Sequence, residues 1–243
     1  MTPWIRLEGE GPPLLLLHGA GGNADVWKPL LTHFRAFDVL ALALPGRGGA
    51  PGPAVTSARE AALWVARQLD TLGGPPPIVL GHSWGGAVAL ELGLVRDVAG
   101  LVLVSTGAKL RVHPAILALA EQAVSGGPRS SSRPAFLPSA SEGVVEAYLT
   151  AESSTPVEST LADWRGCDAF DARAQLAHIE VPALVVGGTE DVLTPPKYAA
   201  YLEAHLPRSA HVSIAAAGHM VPWEQPAPLA SHVRAWASVT AQT

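Results

Sequence analysis

The sequence predicts an α/β fold, a mostly parallel sheet of about six to eight strands with helices on both faces. Two observations carry this reading. Apolar runs of strand length alternate with helix-like segments over most of the chain. Each run is closed by glycine or proline, as where Leu14–Leu17 meets His18-Gly19 and Phe37–Leu44 meets Pro45-Gly46. A third observation concerns organisation. The rhythm stops after Val104, gives way to helical patterns from Ala108 to His178, and resumes at Pro182. Residues 1–107 and 179–243 therefore form one core, and residues 108–178 an inserted helical cap.

Composition bounds the function classes. The 243 residues suit a single α/β domain with an insertion, and 48% apolar content supplies a large core. Only 15% of residues are charged, yet no run approaches the roughly 20 apolar residues of a membrane helix. No membrane association is expected. Met1 to Arg6 lacks the basic stretch and long apolar segment of a secretory signal, so a cytoplasmic location is expected. Cys167 is the only cysteine, which rules out an internal disulfide and a cysteine-rich metal site. The net charge of −5 comes without a basic stripe, so no nucleic acid is expected as partner.

The elements follow in order. Trp4–Glu8 precedes the first strong strand, Leu14–Leu17. Asp25–Phe34 reads as a helix capped near Asn23 or Asp25, and Phe37–Leu44 as a strand. Ser57–Leu72 is a helix whose Ser57 and Glu60 fit a capping box, with an apolar face of Ala61, Trp64, Val65, Leu69 and Leu72. Pro77–Leu80 is a short buried strand, Trp84–Val95 a helix and Val98–Val104 a strand. Within the insertion, His113–Val124, Ser141–Glu152 and Val157–Gln175 look helical. Ala183–Val186 and Ala210–Ala215 are the last strands, followed by helices at Pro195–His205 and Trp223–Val239.

Gly81-His82-Ser83-Trp84-Gly85 matches G-x-S-x-G, with Gly86 next. In that motif a strand turns into a helix so sharply that the serine takes strained backbone angles and exposes its oxygen. Side chains at positions 81 and 85 would collide across the turn. The pentapeptide alone is a weak signal; its setting between a predicted strand and a predicted helix is what the geometry requires.

With these residues in place the chain resembles the α/β-hydrolase family, in its serine-nucleophile branch, over Pro13 to about Val239. The resemblance implies Ser83 as nucleophile, and a serine there excludes the dehalogenase branch with its aspartate nucleophile. A serine hydroxyl needs a base, and the base a carboxylate to orient it. The family's chain order is serine, acid, histidine. Asp191 fits the acid, because Val192-Leu193-Thr194-Pro195 follows it as in the family's D-x-x-x-P pattern; Glu190 is its rival. His219 fits the base, since Gly218, His219, Glu224 and Pro226 match G-H-x-x-x-x-E-x-P. His211 stands at the wrong end of its strand, and His178, His205 and His232 read as surface residues. His18 and His82 are expected to pack and hydrogen bond beside the site.

By the same resemblance the oxyanion donors are the backbone N–H groups of Ala20, in His18-Gly19-Ala20-Gly21-Gly22, and of Trp84. That glycine-rich loop lacks the G-x-G-x-x-G and P-loop spacings of nucleotide sites. Trp27, Trp164, Leu193 and Met220 are candidate substrate-binding residues, each equally readable as packing. Trp164 to Asp171 is similar to the end of the cap in small esterases and lactonases of the family. The implied reaction is hydrolysis of a small or medium carboxylic ester, or a related acyl bond such as a lactone or thioester, through an acyl-enzyme, with no metal or cofactor. A triad-bearing small-molecule receptor, an acyltransferase and a carbon–carbon bond hydrolase carry the same motifs.

Overall fold

The computed structural model describes residues 3–240. Seven strands form one sheet in the order β1-β3-β2-β4-β5-β6-β7. They are β1 (Trp4–Leu7), β2 (Pro13–Leu17), β3 (Asp38–Leu42), β4 (Ile78–His82), β5 (Gly100–Val104), β6 (Ala183–Gly188) and β7 (Ser209–Ile214). All neighbours pair in parallel except the edge strand β1, which runs antiparallel to β3. The strand count and the parallel character agree with the sequence reading.

Alternation along each strand divides the core in two. Leu14, Leu16, Val39, Ile78, Leu80, Val102 and Leu184 face one side. There they pack on Leu30 and Phe34 of a 3-10 helical run, Ala24–Phe34, and on α8 (Pro226–Thr240). Leu15, Leu17, Val79, Leu101, Leu103 and Val185 face the other. That side is covered by α1 (Ala58–Leu72), α2 (Trp84–Val95) and α6 (Pro196–His205). A sheet buried on both faces needs unbroken apolar strands, which explains why all five residues of β4 and of β5 are buried.

Several boundaries moved for identifiable reasons. The 24–34 segment winds as 3-10 turns around Pro29, which has no N–H to continue an α-helix; Asn23 caps it by accepting from the Asp25 N–H. Ser57 caps α1 by accepting from the Glu60 N–H at 3.4 Å. Leu72, placed by sequence on the apolar face of α1, is 40% exposed at the helix end. The final helix is broken. α7 (Val221–Glu224) stops at Gln225, because Pro226 bars its predecessor from helical angles, and α8 then restarts.

Between β5 and β6 lie α3 (Pro114–Val124), α4 (Glu142–Glu152) and α5 (Val157–Ala169). The sequence reading carried α5 on to Gln175. It ends at Phe170 because residues 170–172 turn back to pair with 108–110: Leu110 N–H donates to Phe170 O and Ala172 N–H to Ala108 O, around a Lys109–Asp171 bridge and ion pair. This ties together the two ends of the inserted segment. Among the described residues no helix is long and apolar enough to cross a membrane.

Close approach fixes α5 on the core. A Cβ built on Gly166 would stand 2.5 Å from the buried Trp84 ring. Gly166→Ala is therefore expected to destabilise the fold by about 1–3 kcal/mol through overpacking. Urea denaturation with an unchanged midpoint would contradict this docking.

Candidate active site

Ser83 sits between β4 and α2 with φ 52° and ψ −114°, a left-handed angle that a non-glycine residue holds only under constraint. The constraint is visible. Ser83 N–H donates to Val104 O at 2.9 Å, and Ser83 O accepts from Gly86 N–H and from Thr106 Oγ1, each at 2.9 Å. A Cβ on Gly81 would lie 2.2 Å from Gly85 O, and one on Gly85 2.3 Å from Leu17 O, so both glycines are required by the turn.

Asp191 follows β6 and is buried; His219 follows β7 and is buried beside it. His219 Nδ1 lies 3.0 Å from Asp191 Oδ2 and 3.2 Å from Oδ1. Asp191 also accepts from the N–H groups of Leu193 and Thr194, each at 2.8 Å, and from Thr194 Oγ1 at 2.7 Å. Burial pushes this carboxyl up, but the bonds from His219 and Thr194 outweigh it and hold the group below its usual range. Glu190, the rival acid, points to an exposed position; its N–H donates to Ala217 O.

His82 joins the serine turn to the histidine loop. Its Nε2 is 3.0 Å from His219 O, and a carbonyl can only accept, so Nε2 carries the proton. Nδ1 is buried and has no hydrogen-bond partner among the described residues. His18 has the opposite tautomer. Its Nε2 accepts from Leu44 N–H at 3.1 Å, so Nδ1 donates to Gly19 O at 2.9 Å. Both rings are neutral: burial, joined by the neighbouring Arg47 charge at His18 and by His219 at His82, lowers each from 6.5 to about 3. His178, His205 and His232 are exposed, and His211 lies within 3.3 Å of Glu203.

The loop carrying Ala20 packs directly on the serine turn: a Cβ on Gly19 would lie 2.9 Å from His82 Nδ1 and 3.5 Å from Ser83 Cβ. Gly19 O is held by His18 Nδ1 and by Gly22 N–H at 3.1 Å. In a trans peptide the N–H points opposite to the C=O, so the Ala20 N–H is turned away from those partners. Trp84 is the first residue of α2, where N–H groups are free of intrahelical bonds.

Ala20, Trp164 and Leu193 share the wall of a cavity of about 170 Å³, with Ile116, Leu119 and Glu152 among its other lining residues. Trp27 and Met220 are not on this wall. Trp27 is fully buried and stacked on Trp223 at 5.4 Å; Met220 is 2% exposed in the same core. Cys167 is buried, and burial raises its thiol well above the usual range, which makes it a poor nucleophile.

Three features escaped the sequence reading. Trp223 is an aromatic hub, contacting Trp27, His82 at 5.3 Å and Tyr148 at 4.7 Å. Glu224, matched only as part of a pattern, accepts from Gly218 N–H at 2.7 Å and Leu137 N–H at 2.6 Å, pinning the histidine loop to the inserted segment. Arg47 and Asp163 form a buried ion pair beside the Ala20 loop. The glutamate was legible as a spacing; the pair, 116 residues apart, had no local signal.

Fold and sequence together match a known class. The chain fits the profile of the alpha/beta hydrolase family over residues 14–232, and it belongs to that family. It is similar to a pimeloyl-[acyl-carrier protein] methyl ester esterase of Neisseria meningitidis serogroup C, at 31% identity over 92% of this chain and 90% of that one. Among solved structures, a thermophilic esterase from Thermogutta terrifontis aligns with a TM-score of 0.86 and 27% identity, covering 98% of this chain and 93% of that one. The enol-lactonase of Burkholderia xenovorans shares the fold, with a TM-score of 0.84 at 21% identity over 97% and 96% of the two chains.

The two neutral histidines have a consequence for stability. In the unfolded chain each titrates near 6.5, and in the folded protein near 3. Below pH 6.5 the unfolded state binds more protons, so their contribution is complete above 6.5 and is lost as pH falls toward 3. Between pH 6 and 4 stability is expected to fall, by up to about 1.4 kcal/mol per pH unit for each ring. His82→Asn should flatten that slope; denaturation curves with the same slope in both proteins would contradict it.

Proposed function

We propose that this protein is a serine hydrolase that cleaves a small carboxylic ester through an acyl-enzyme, with Ser83 as nucleophile, His219 as base and Asp191 as the orienting acid. The observation that carries this reading is the Asp191–His219 bond, held to the serine turn through His82 Nε2 and His219 O. Nδ1 of His219 faces the carboxylate, which leaves Nε2 as the basic nitrogen. Nε2 takes the Ser83 proton as Oγ attacks the ester carbonyl. Negative charge develops on the carbonyl oxygen and is met by the N–H groups of Ala20 and Trp84, the latter at the positive end of α2. Collapse expels the alcohol, which takes the proton from His219. Water then repeats the sequence, with His219 again as base, and frees the acid. No metal or cofactor enters these steps.

Residues 108–178 act as a cap over the site in this reading, and Trp164 and Leu193 bound the substrate cavity. His219 itself lines a neighbouring cavity of about 390 Å³ together with Leu137, Val145 and Val192, so the room beside the triad lies at the small end of the roughly 300–1,000 Å³ of sites for drug-sized ligands and favours a small to medium acyl group. A relative named a methyl ester esterase and solved thermophilic esterases at 27% and 30% identity support acyl chemistry of this kind.

Ser83→Ala is expected to lower kcat on p-nitrophenyl butyrate on the order of 10⁶-fold. Near-normal turnover by that variant would remove Ser83 from the mechanism, and no turnover by the parent protein on any ester, thioester or lactone would favour a receptor. Acetyl and butyryl esters should outperform decanoyl esters in kcat/KM, and Trp164→Ala should narrow that gap. An added alcohol acceptor that diverts the acyl group from water would identify a transferase instead.

A further inference from the structure

Asp163 projects from α5 into the core, with its side chain 2% exposed and that of its partner Arg47 1% exposed. Arg47 binds it through both terminal nitrogens, with Nη2 donating to Oδ1 at 2.9 Å and Nη1 to Oδ2. Asp163 Oδ2 also accepts from Gly21 N–H at 2.9 Å, and the Trp84 ring packs against the same helix at Gly166. One helix of the inserted segment therefore holds the loop of Ala20 through a carboxylate and touches the side chain of Trp84 through a glycine. Thr155, just before α5, adds a second hold on that loop: its Oγ1 donates to Gly22 O at 3.2 Å and accepts from Asn23 Nδ2 at 2.9 Å.

A buried ion pair is a poor source of stability, since desolvation of both charges offsets their attraction, and apolar residues of similar volume often serve as well. What apolar residues cannot supply is an acceptor for the Gly21 N–H. We propose that Asp163 is a positioning residue for the oxyanion site, with Arg47 as the countercharge that keeps its carboxylate in place. The peptide after Ala20 is fixed by Asp163, and the Gly22 carbonyl by Thr155, so the Ala20 donor is aligned when α5 is docked. Arg47 completes the clamp by reaching Gly22 O at 3.5 Å and Ser159 O at 3.4 Å. This inference rests on the reading of Ala20 and Trp84 as oxyanion donors.

Removing either charge alone strands its partner, so the test uses paired substitutions. Arg47→Met with Asp163→Leu removes both charges and the acceptor; Arg47→Met with Asp163→Asn removes the charges and keeps an oxygen for Gly21. On p-nitrophenyl butyrate the leucine pair is expected to lose about tenfold or more in kcat with KM changed little, a part of the roughly 10²–10³-fold that loss of a whole donor costs. The asparagine pair should recover most of that loss, although the two melt at similar temperatures. Equal kcat in the two folded variants would overturn the proposal. Should the leucine pair not fold, Thr155→Val tests the same hold, and an unchanged kcat there would overturn it equally. Protection of the Gly21 amide from hydrogen exchange, lost in the leucine pair and kept in the asparagine pair if the proposal holds, reads the clamp without turnover. Ser83→Ala run alongside separates the two failures: full turnover in Ser83→Ala ends the catalytic reading, whereas an inactive Ser83→Ala beside equal pairs ends only this one.

Discussion

The turn at Ser83 is the constraint to which the rest of the molecule is fitted. A residue with φ 52° between a buried strand and a buried helix is an unfavourable local state, and it persists because its surroundings leave no alternative. The strand below is paired on both sides, and the serine carbonyl is bonded to α2 and to Thr106. The helix above can approach β2 only because position 85 has no side chain. Local strain is thus supported by the cooperative pairing of the whole sheet, whose central strands β4 and β5 are buried along their full length.

Around that turn the polar groups are arranged in pairs of opposite character. Asp191 is ionised against burial by the donors it receives, whereas His18 and His82 are kept neutral by burial, joined at His18 by the Arg47 charge. Each imidazole has its tautomer dictated by a backbone partner, a donor N–H for His18 and a carbonyl for His82. The aromatic contacts of Trp223 with His82 and Tyr148 connect this polar layer to the inserted segment without adding charge.

Much of this was legible in the sequence, and the pattern of success has a physical basis. Strands buried on both faces are written as uninterrupted apolar runs, and the bounds of α2 were read without error because a glycine turn and Arg96 bracket it. The order Ser83, Asp191, His219 is likewise local information, three short motifs each at a strand end. What failed was anything decided by tertiary contact. Proline chemistry broke the last helix after an apolar pattern had run through it, and pairing of residues 170–172 with 108–110 shortened α5. Trp27 and Met220 belong to the core because the sheet face beneath them was already committed to it. Arg47 and Asp163 carried no signal of their own, since nothing in either neighbourhood announces the other.

The inserted segment leaves from β5 and returns to β6, strands that are neighbours in the sheet, and the Lys109–Asp171 bridge closes its base. Such an attachment lets the insertion grow, shrink or be replaced with little disturbance of the seven-stranded sheet. The buried Arg47–Asp163 pair works against that freedom. A transplanted insertion lacking an acid at the right turn of its last helix would leave an arginine charged and stranded in the core. Any replacement of the segment between β5 and β6 is thus constrained by a single core cation, and Arg47 and Asp163 are expected to tolerate substitution together but not singly.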